Sequence, residues 1–531
     1  MEAFTGTGPS PLWPFAAPDE PAAPGAPPPA GAAAGPPSAP AAPPELDNLR
    51  WAFAQQLVAL VLEDQGSDGV RALRAAARGA RRAADATLPK VGVIQQGGDE
   101  PCAAAIARLA AATAARPPRF PALRQLSLTL LAPADAAVLG AALPRLAAGL
   151  PALDTLEVRS ETKDAPWGAR AGAALARLTA LLLDVRAKDL APYVAAAARL
   201  PLLERLELRS TARGDMKSAY DAALRLGRWD RLERLALSHV GPREVEVVAG
   251  LELPRLKFLS LGRGSALGSS RLGGMLAYYV SSYSSTTTTA MQRIVKAPWF
   301  ARLEQLQLIG CGLADIGDLS GCEAPALTHL WIDSCDWDDG SAASLAKLRL
   351  PALQSLSLHV KDLFMWTKRL SPGAWGALLR GLCSGAPALE GLWIEGVLRP
   401  PEGDAVAAGL AALACAPWAA QIESLDVGGN SALGAAGAAG GWQLFTTSPW
   451  PALRELRLEG SSVAAPSLEL LAAAPWLAGL EGLALDASAR PSGVLPGGLD
   501  ALQAAGRIEW VEGPEIDAKL YSIEDAFRDW T

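Results

Sequence analysis
One short pattern constrains this chain more than anything else in it. Leu-x-x-Leu-x-Leu, usually entered through Pro-Ala or another short turn, occurs thirteen times, with first residues at Leu123, Leu153, Leu178, Leu203, Leu232, Leu256, Leu303, Leu327, Leu353, Leu389, Ile422, Leu453 and Leu480. The copies lie 24 to 36 residues apart, with one gap of 47. A degenerate further copy at Ile508 (IEWV) closes the series. Regular self-similarity of this period means stacked structural units. In each copy the second and third apolar residues, such as Leu306 and Leu308, are two apart and share one face of a short strand, while the residues between them face the other way. Ala- and Leu-rich stretches at helical spacing, such as 134–150 and 218–228, lie between the strands. The pattern predicts a parallel sheet built one strand per repeat, with the leucines packed beneath it and helices covering them.

A second column keeps the same register. The ninth position of a copy is Cys311, Cys335 or Asn430, with Thr211, Ser461 and Ser488 elsewhere. Small polar side chains there can hydrogen-bond the loop backbone of the adjacent repeat. On these two columns the chain resembles leucine-rich-repeat proteins of the long, helix-containing type, like ribonuclease inhibitor and the repeat arms of F-box proteins. The resemblance covers residues 120–512. It implies an α/β solenoid, a horseshoe with a parallel sheet on its concave face and helices on its convex face. It does not imply one function, because sites are grafted onto folds.

The remaining segments break the period. Residues 1–44 are rich in Pro, Ala and Gly without order, the composition of a disordered tail. The long gap contains residues 268–291, a Ser/Thr-rich insertion read as an extra loop, and 428–441 reads as another. Residues 513–531 carry Ile516, Leu520, Ile523 and Phe527 at roughly helical spacing and read as an acidic end cap.

Residues 45–119 precede the repeats as a helical module. Residues 45–63 place Leu49, Phe53, Leu57, Leu60 and Val61 on one side of a helix, and residues 70–86 form a basic amphipathic helix with Leu73, Arg74, Arg78, Arg81 and Arg82. This order is similar to an F-box, although Asn48-Leu49-Arg50 stands where a Leu-Pro opening is usual, and Ala76 and Ala80 replace the Cys and Trp of the last helix. The resemblance implies a substrate receptor of a cullin-type ubiquitin ligase. A Skp-type adaptor would then be held through Leu49, Phe53, Leu57, Leu73, Arg74 and Arg78. Two other readings stay open: a helical cap over the first repeat, and a basic helix with some other partner.

Composition narrows the classes. A formal charge of -7 argues against nucleic acid, whose binders usually carry a basic face. No apolar run reaches the ~20 residues of a membrane span. The start of the chain has acid but no Lys or Arg, unlike a signal peptide. Six cysteines in 531 residues do not make a disulfide framework, and a reducing, cytoplasmic setting is expected, with the cytoskeleton or a flagellar axoneme as compatible places. Three histidines, a missing third metal ligand and the lack of a nucleophile elbow or phosphate-binding Gly-Lys loop lead to the expectation of a non-enzyme without cofactor or metal.

The expected working surface is the concave face, at repeat positions 2, 3, 5 and 7. Over thirteen copies these hold 16 acids and 8 bases, including Asp154, Glu204, Glu207, Glu233, Glu304, Glu423 and Glu481, which favours a protein partner with a basic patch. Position 5 holds Trp331 and Trp393, with His329, Asp333, His359 and Glu395 around them. Tryptophan on a polar face is a favoured interaction anchor. Trp299, Trp418, Trp450 and Trp476 precede their strands at a nearly fixed place and are expected in the core.

Overall fold
The structure is a computed structural model. It describes residues 90–93, 102–113, 122–130, 133–160, 175–185, 190–210, 221–238, 240, 242–262, 287–309, 319–333, 339–359, 370–396, 404–430, 433, 439–461, 463–487, 495 and 497–511. The chain divides into two units, of which residues 80–513 are the repeat array. The other unit, residues 1–79 with 514–531, lies outside the described residues. So do the tail, the helices expected over 45–63 and 70–86, the end cap, and the adaptor candidates Leu49, Phe53, Leu57, Leu73, Arg74 and Arg78.

The array is a single parallel sheet of 15 strands in strict chain order. The strands are β1 (Lys90–Val93), β2 (Gln125–Leu130), β3 (Thr155–Ser160), β4 (Ala180–Val185), β5 (Arg205–Ser210), β6 (Arg234–Leu237), β7 (Phe258–Gly262), β8 (Gln305–Ile309), β9 (His329–Asp333), β10 (Ser355–His359), β11 (Gly391–Glu395), β12 (Ser424–Asp426), β13 (Glu455–Arg457), β14 (Gly482–Asp486) and β15 (Ile508–Val511). Helices cross between most of them: α1 (Cys102–Thr113), α2 (Pro133–Gly149), α3 (Ala191–Ala197), α4 (Asp221–Leu226), α5 (Pro242–Ala249), α6 (Thr287–Val295), α7 (Asp339–Leu345), α8 (Pro372–Gly385), α9 (Asp404–Ala414), α10 (Ala439–Thr447), α11 (Ala465–Ala472) and α12 (Gly497–Ala504).

The register shows why the leucines recur. Leu126 lies opposite Leu156, which lies opposite Leu181 and then Leu206, and the same row continues through Leu306, Leu330, Leu356 and Leu392 to Ile508. Alternation along each strand buries positions 4 and 6 together, and the first leucine of each copy, such as Leu303 or Leu353, seals the turn before the strand. One continuous apolar core runs from Ile106 to Ile508. Strands β3 to β14 enter the sheet by the same device. The position 2 carbonyl accepts two N–H groups from the next repeat, as when Asp154 and Thr155 both donate to Arg124 O at 3.0 Å. The device uses backbone only, which is why position 2 is free to vary. One strand per repeat, leucines beneath the sheet and crossing helices make this an α/β leucine-rich-repeat solenoid.

Three expectations need correction. The sheet does not start at residue 120: β1 pairs with β2, Val91 opposite Leu126 and Val93 opposite Leu128. The stretch read as a helical module, residues 45–119, therefore also contains a strand, which the sequence hides because valines stand where leucines do in later copies. Helix α1, with Ile106 and Leu109 buried, packs against α2 as a repeat helix. Second, Thr287–Met291 belong to α6 and not to a loop. Threonine is a weak helix former, but burial of Met291 and Ile294, three apart, holds the helix against the core. Third, Ile508 does not begin its copy: pairing with Leu483 puts it at position 4, and Trp510 at position 6.

The ninth-position column is a hydrogen-bonding column. Asn430 is 0% exposed, and its Nδ2 donates to Ile394 O (2.6 Å) in the preceding repeat and to Val427 O (2.8 Å) and Gly428 O (3.0 Å) in its own. Ser461 Oγ donates to Val427 O at 2.9 Å, again one repeat back. Thr211, Cys311, Cys335 and Ser488 lie outside the described residues. One position earlier, Gly396, Gly429 and Gly460 have φ of 65°, 65° and 70°. These glycines stack closely, since a β-carbon on Gly460 would come within 3.2 Å of Gly429 backbone. Only glycine takes both that conformation and that approach without strain.

Candidate functional site
Strands β9, β10 and β11 carry the aromatic pair on the face of the sheet opposite the leucines. Trp331 and Trp393 both lie opposite Ser357, on either side of it in the same row. Two strand spacings put their backbones about 10 Å apart. Both indoles are half-buried. Each ring leans back over position 3 of its own strand. In β9 that residue is His329, whose ring stacks on Trp331 with centroids 5.4 Å apart and planes at 24°. In β11 it is Gly391, which is buried, and whose missing side chain leaves the space the Trp393 ring takes. Ser355, opposite both His329 and Gly391, is buried between them.

The polar groups around the pair are held in place. The Thr328 hydroxyl donates to Glu304 O at 2.9 Å, so the 2.8 Å contact between Thr328 Oγ1 and His329 Nδ1 has the imidazole N–H as donor. Burial pushes the His329 pKa below its ordinary 6.5, which leaves the ring neutral at pH 7. His359 lies opposite Asp333, and its Nδ1 sits 2.7 Å from Asp333 Oδ1. Glu395 pairs in backbone register with His359 on the other side. The sequence candidates Trp331, Trp393, His329, Asp333, His359 and Glu395 thus fall on three adjacent strands.

Charge on this face is not spread evenly. At positions 2, 3, 5 and 7, β2–β7 hold six acids and six bases, while β8–β14 hold ten acids and two, Arg454 and Arg457. The acidic excess therefore belongs wholly to the half that contains the tryptophans. Here Glu390 and Glu423 stand on neighbouring strands, and burial together with the Glu423 charge raises the Glu390 pKa. Arg457 is committed locally, with its guanidinium 2.7 Å from Glu459 and 3.7 Å from Asp426.

The other half is organised around arginine. Glu207, at position 5 of β5, is 4% exposed, with Arg205 Nε at 2.7 Å and Arg209 at 3.5 Å. Glu207 is thus spent on neighbours and is not one of the open acids expected from the sequence. Glu304 and Glu481 pair with Lys257 (3.7 Å) and Arg454 (2.8 Å) at exposed sites, where such bridges contribute only ~0–1 kcal/mol.

The pre-strand tryptophans do belong to the core. Trp299, Trp418 and Trp450 are buried, and Trp476 nearly so. Trp450 Nε1 donates to Phe445 O (3.0 Å) and Trp476 Nε1 to Thr446 O (3.1 Å), with Phe445 packed against Trp442, Trp450 and Trp476. Cys322 is half-buried, and burial with the Glu323 charge pushes its thiol up to about 11. Among the described residues no cluster of three His, Cys, Asp or Glu could hold a metal ion, and no helix is long and apolar enough to cross a membrane.

No family model matches the sequence, and no curated protein matches it. Among solved structures the chain is similar to a chain of the yeast Rad7–Elc1 complex, at 12% identity over 83% of this chain and 92% of that one, with a TM-score of 0.34. It is also similar to a chain of the Arabidopsis receptor kinase HAESA leucine-rich-repeat ectodomain bound to an extended IDA peptide hormone. That likeness is 11% identical over 76% of this chain and 59% of that one, with a TM-score of 0.29.

Proposed function
We propose that this chain is a non-catalytic protein-interaction scaffold that holds a protein partner on the face of its sheet opposite the leucine core, centred on β9–β11. The observation that carries this reading is the Trp331–Ser357–Trp393 row within an acidic half-sheet. Two aromatic anchors give apolar contact area, and the surrounding acids favour a partner with a basic patch by steering its approach. The test is affinity capture with the full chain, with Trp331→Ala/Trp393→Ala, and with a chain lacking residues 45–86, read by mass spectrometry. A partner kept by the full chain and the deletion but lost by the double variant supports the scaffold. One retained equally by all three argues against this face. The deletion stops at 86 because β1 belongs to the sheet and its loss would expose the edge of β2.

A second reading is a receptor of a cullin-type ubiquitin ligase, through a Skp-type adaptor held by Leu49, Phe53, Leu57, Leu73, Arg74 and Arg78. It is favoured by one observation: β1 already pairs with β2 and α1 already packs against α2, so residues 45–86 are not needed to cover the Leu123 repeat. Adaptor and cullin captured by the full chain and lost on deletion of 45–86 would establish it.

A further inference from the structure
Arg205 and Arg234 occupy position 3 of adjacent strands and lie directly opposite one another in register. Arg209 is four residues along β5 on the same face. Glu207 pairs with Arg205 and Arg209 and is buried between them, and Asp184 also acts on Arg209. Among the described residues Arg234 has no ion pair: its guanidinium carbon sits 4.3 Å above the Phe258 ring, and its Nε is buried without a hydrogen-bond partner. Burial lowers the pKa of both Arg209 and Arg234, and for Arg234 the neighbouring Arg205 charge adds to the effect. Beside these groups on the same face are the small, buried Ala236 and Ser260. A guanidinium on the face away from the leucine core, stacked on an aromatic ring and with no ion pair among the described residues, can take an oxyanion through its terminal N–H groups, because guanidinium forks match oxyanions in shape. The surroundings select the anion's charge. Glu204 and Glu233 stand one residue before Arg205 and Arg234, and Asp184 acts on Arg209. That acidic border disfavours a doubly charged phosphoryl group and suits a single carboxylate.

We propose that Arg205, Arg209 and Arg234 form a carboxylate subsite on β5–β6 that takes a Glu or Asp side chain of a peptide partner. It is separate from the tryptophan row, three strands from β6 to β9, or about 15 Å. An extended peptide of about five residues spans that distance. The two sites together would orient a partner, with its acidic residue over β5–β6 and its basic part over β8–β14.

The experiment is fluorescence anisotropy on the full chain with a labelled Gly/Ser peptide carrying three Glu, its Gln counterpart and its phosphoserine counterpart. The Glu peptide should bind at least tenfold more tightly than the Gln peptide and weaken as salt rises. Arg205→Gln/Arg234→Gln should bring it down to the Gln level, while Trp331→Ala/Trp393→Ala leaves it unchanged. Circular dichroism checks folding; if the double variant does not fold, Arg234→Gln alone, which removes the cation over Phe258, makes the same test. Equal affinity for the Glu and Gln peptides, no binding of either, insensitivity to the arginine variants or loss in the tryptophan variant would each overturn the proposal. Binding of the phosphoserine peptide without the Glu peptide would overturn the carboxylate assignment.

Discussion

A β-carbon on Gly391 would fall inside the indole of Trp393. The glycine is thus what lets the Trp393 ring lie back across its own strand, and the ring in turn buries the glycine. Gly391→Ala should tip the indole away from the sheet while the strand stays paired, since alanine is sterically acceptable to an extended backbone. The expected result is a shift in tryptophan emission on partner titration and about tenfold weaker binding, with an almost unchanged thermal midpoint. A large drop in the midpoint would mean that the glycine serves the strand and not the ring.

The tryptophan pair is tested by truncation. Trp331→Ala and Trp393→Ala should each cost about 2 kcal/mol of partner affinity, the usual scale for an aromatic anchor. Both lie on the face away from the continuous leucine core, so the chain should remain folded. Isothermal titration against the captured partner reads the loss, and unchanged affinity in the double variant would remove β9–β11 as the binding face.

Asn430 makes a different kind of prediction, on stability. Its side chain ties three carbonyls across two repeats from a fully buried place. Asn430→Ala leaves Ile394 O without that donor, and an unsatisfied buried polar group costs about 1–3 kcal/mol. Ser461→Ala, with one such bond, should cost less. Urea melts of the two variants would rank them, and the reverse order would mean that the loop, not the side chain, holds the repeats together.

Most of this fold was legible because one physical demand repeats. A parallel strand with one face buried must show apolar residues two apart, and Leu306 with Leu308, or Leu356 with Leu358, declares it. Val91 and Val93 hold the same register positions in β1, but a search for leucine passes over them. Helix α6 was hidden for a related reason: its threonines argue against helix locally, and the burial of Met291 and Ile294 overrides them. At the candidate site, alternation alone puts Trp331, Trp393, His329, Asp333 and His359 on one face. It cannot say which charges are already taken. Glu207 and Arg234 occupy equivalent kinds of exposed-face position, yet one is buried between two arginines and the other lacks an ion pair among the described residues. Glu207 finds its arginines two residues away on its own strand, whereas the surroundings of Arg234, Phe258 and Arg205, are 24 and 29 residues away and meet it only when the strands stack.

Cysteine reactivity should separate two described thiols. Cys415 is exposed, whereas Cys322 is half-buried with its pKa raised to about 11, and the thiolate is the reactive form. Brief iodoacetamide treatment at pH 7.5 should label Cys415 well before Cys322 by peptide mass spectrometry. Glu323→Gln should speed Cys322 only slightly, since burial is the larger cause of its shift and the Glu323 charge the smaller. Equal labelling would mean that the Cys322 region opens readily.

His329 makes stability depend on mild acid. Burial lowers its folded-state pKa below 6.5, so as pH falls the unfolded chain takes up this proton first. Its contribution is therefore complete above pH 6.5 and is lost as pH drops through the folded-state value. The carboxylates add their own acid dependence, so the readout is a difference between chains. The thermal midpoint should fall more between pH 7.5 and 5.5 in the wild-type chain than in His329→Gln, which cannot titrate there. The same protonation puts a charge on the ring stacked against Trp331, so partner affinity should change over the same interval in the wild type and stay flat in the variant. Parallel pH profiles for the two chains would show that the imidazole is solvated and that its stacking on Trp331 does not control the row.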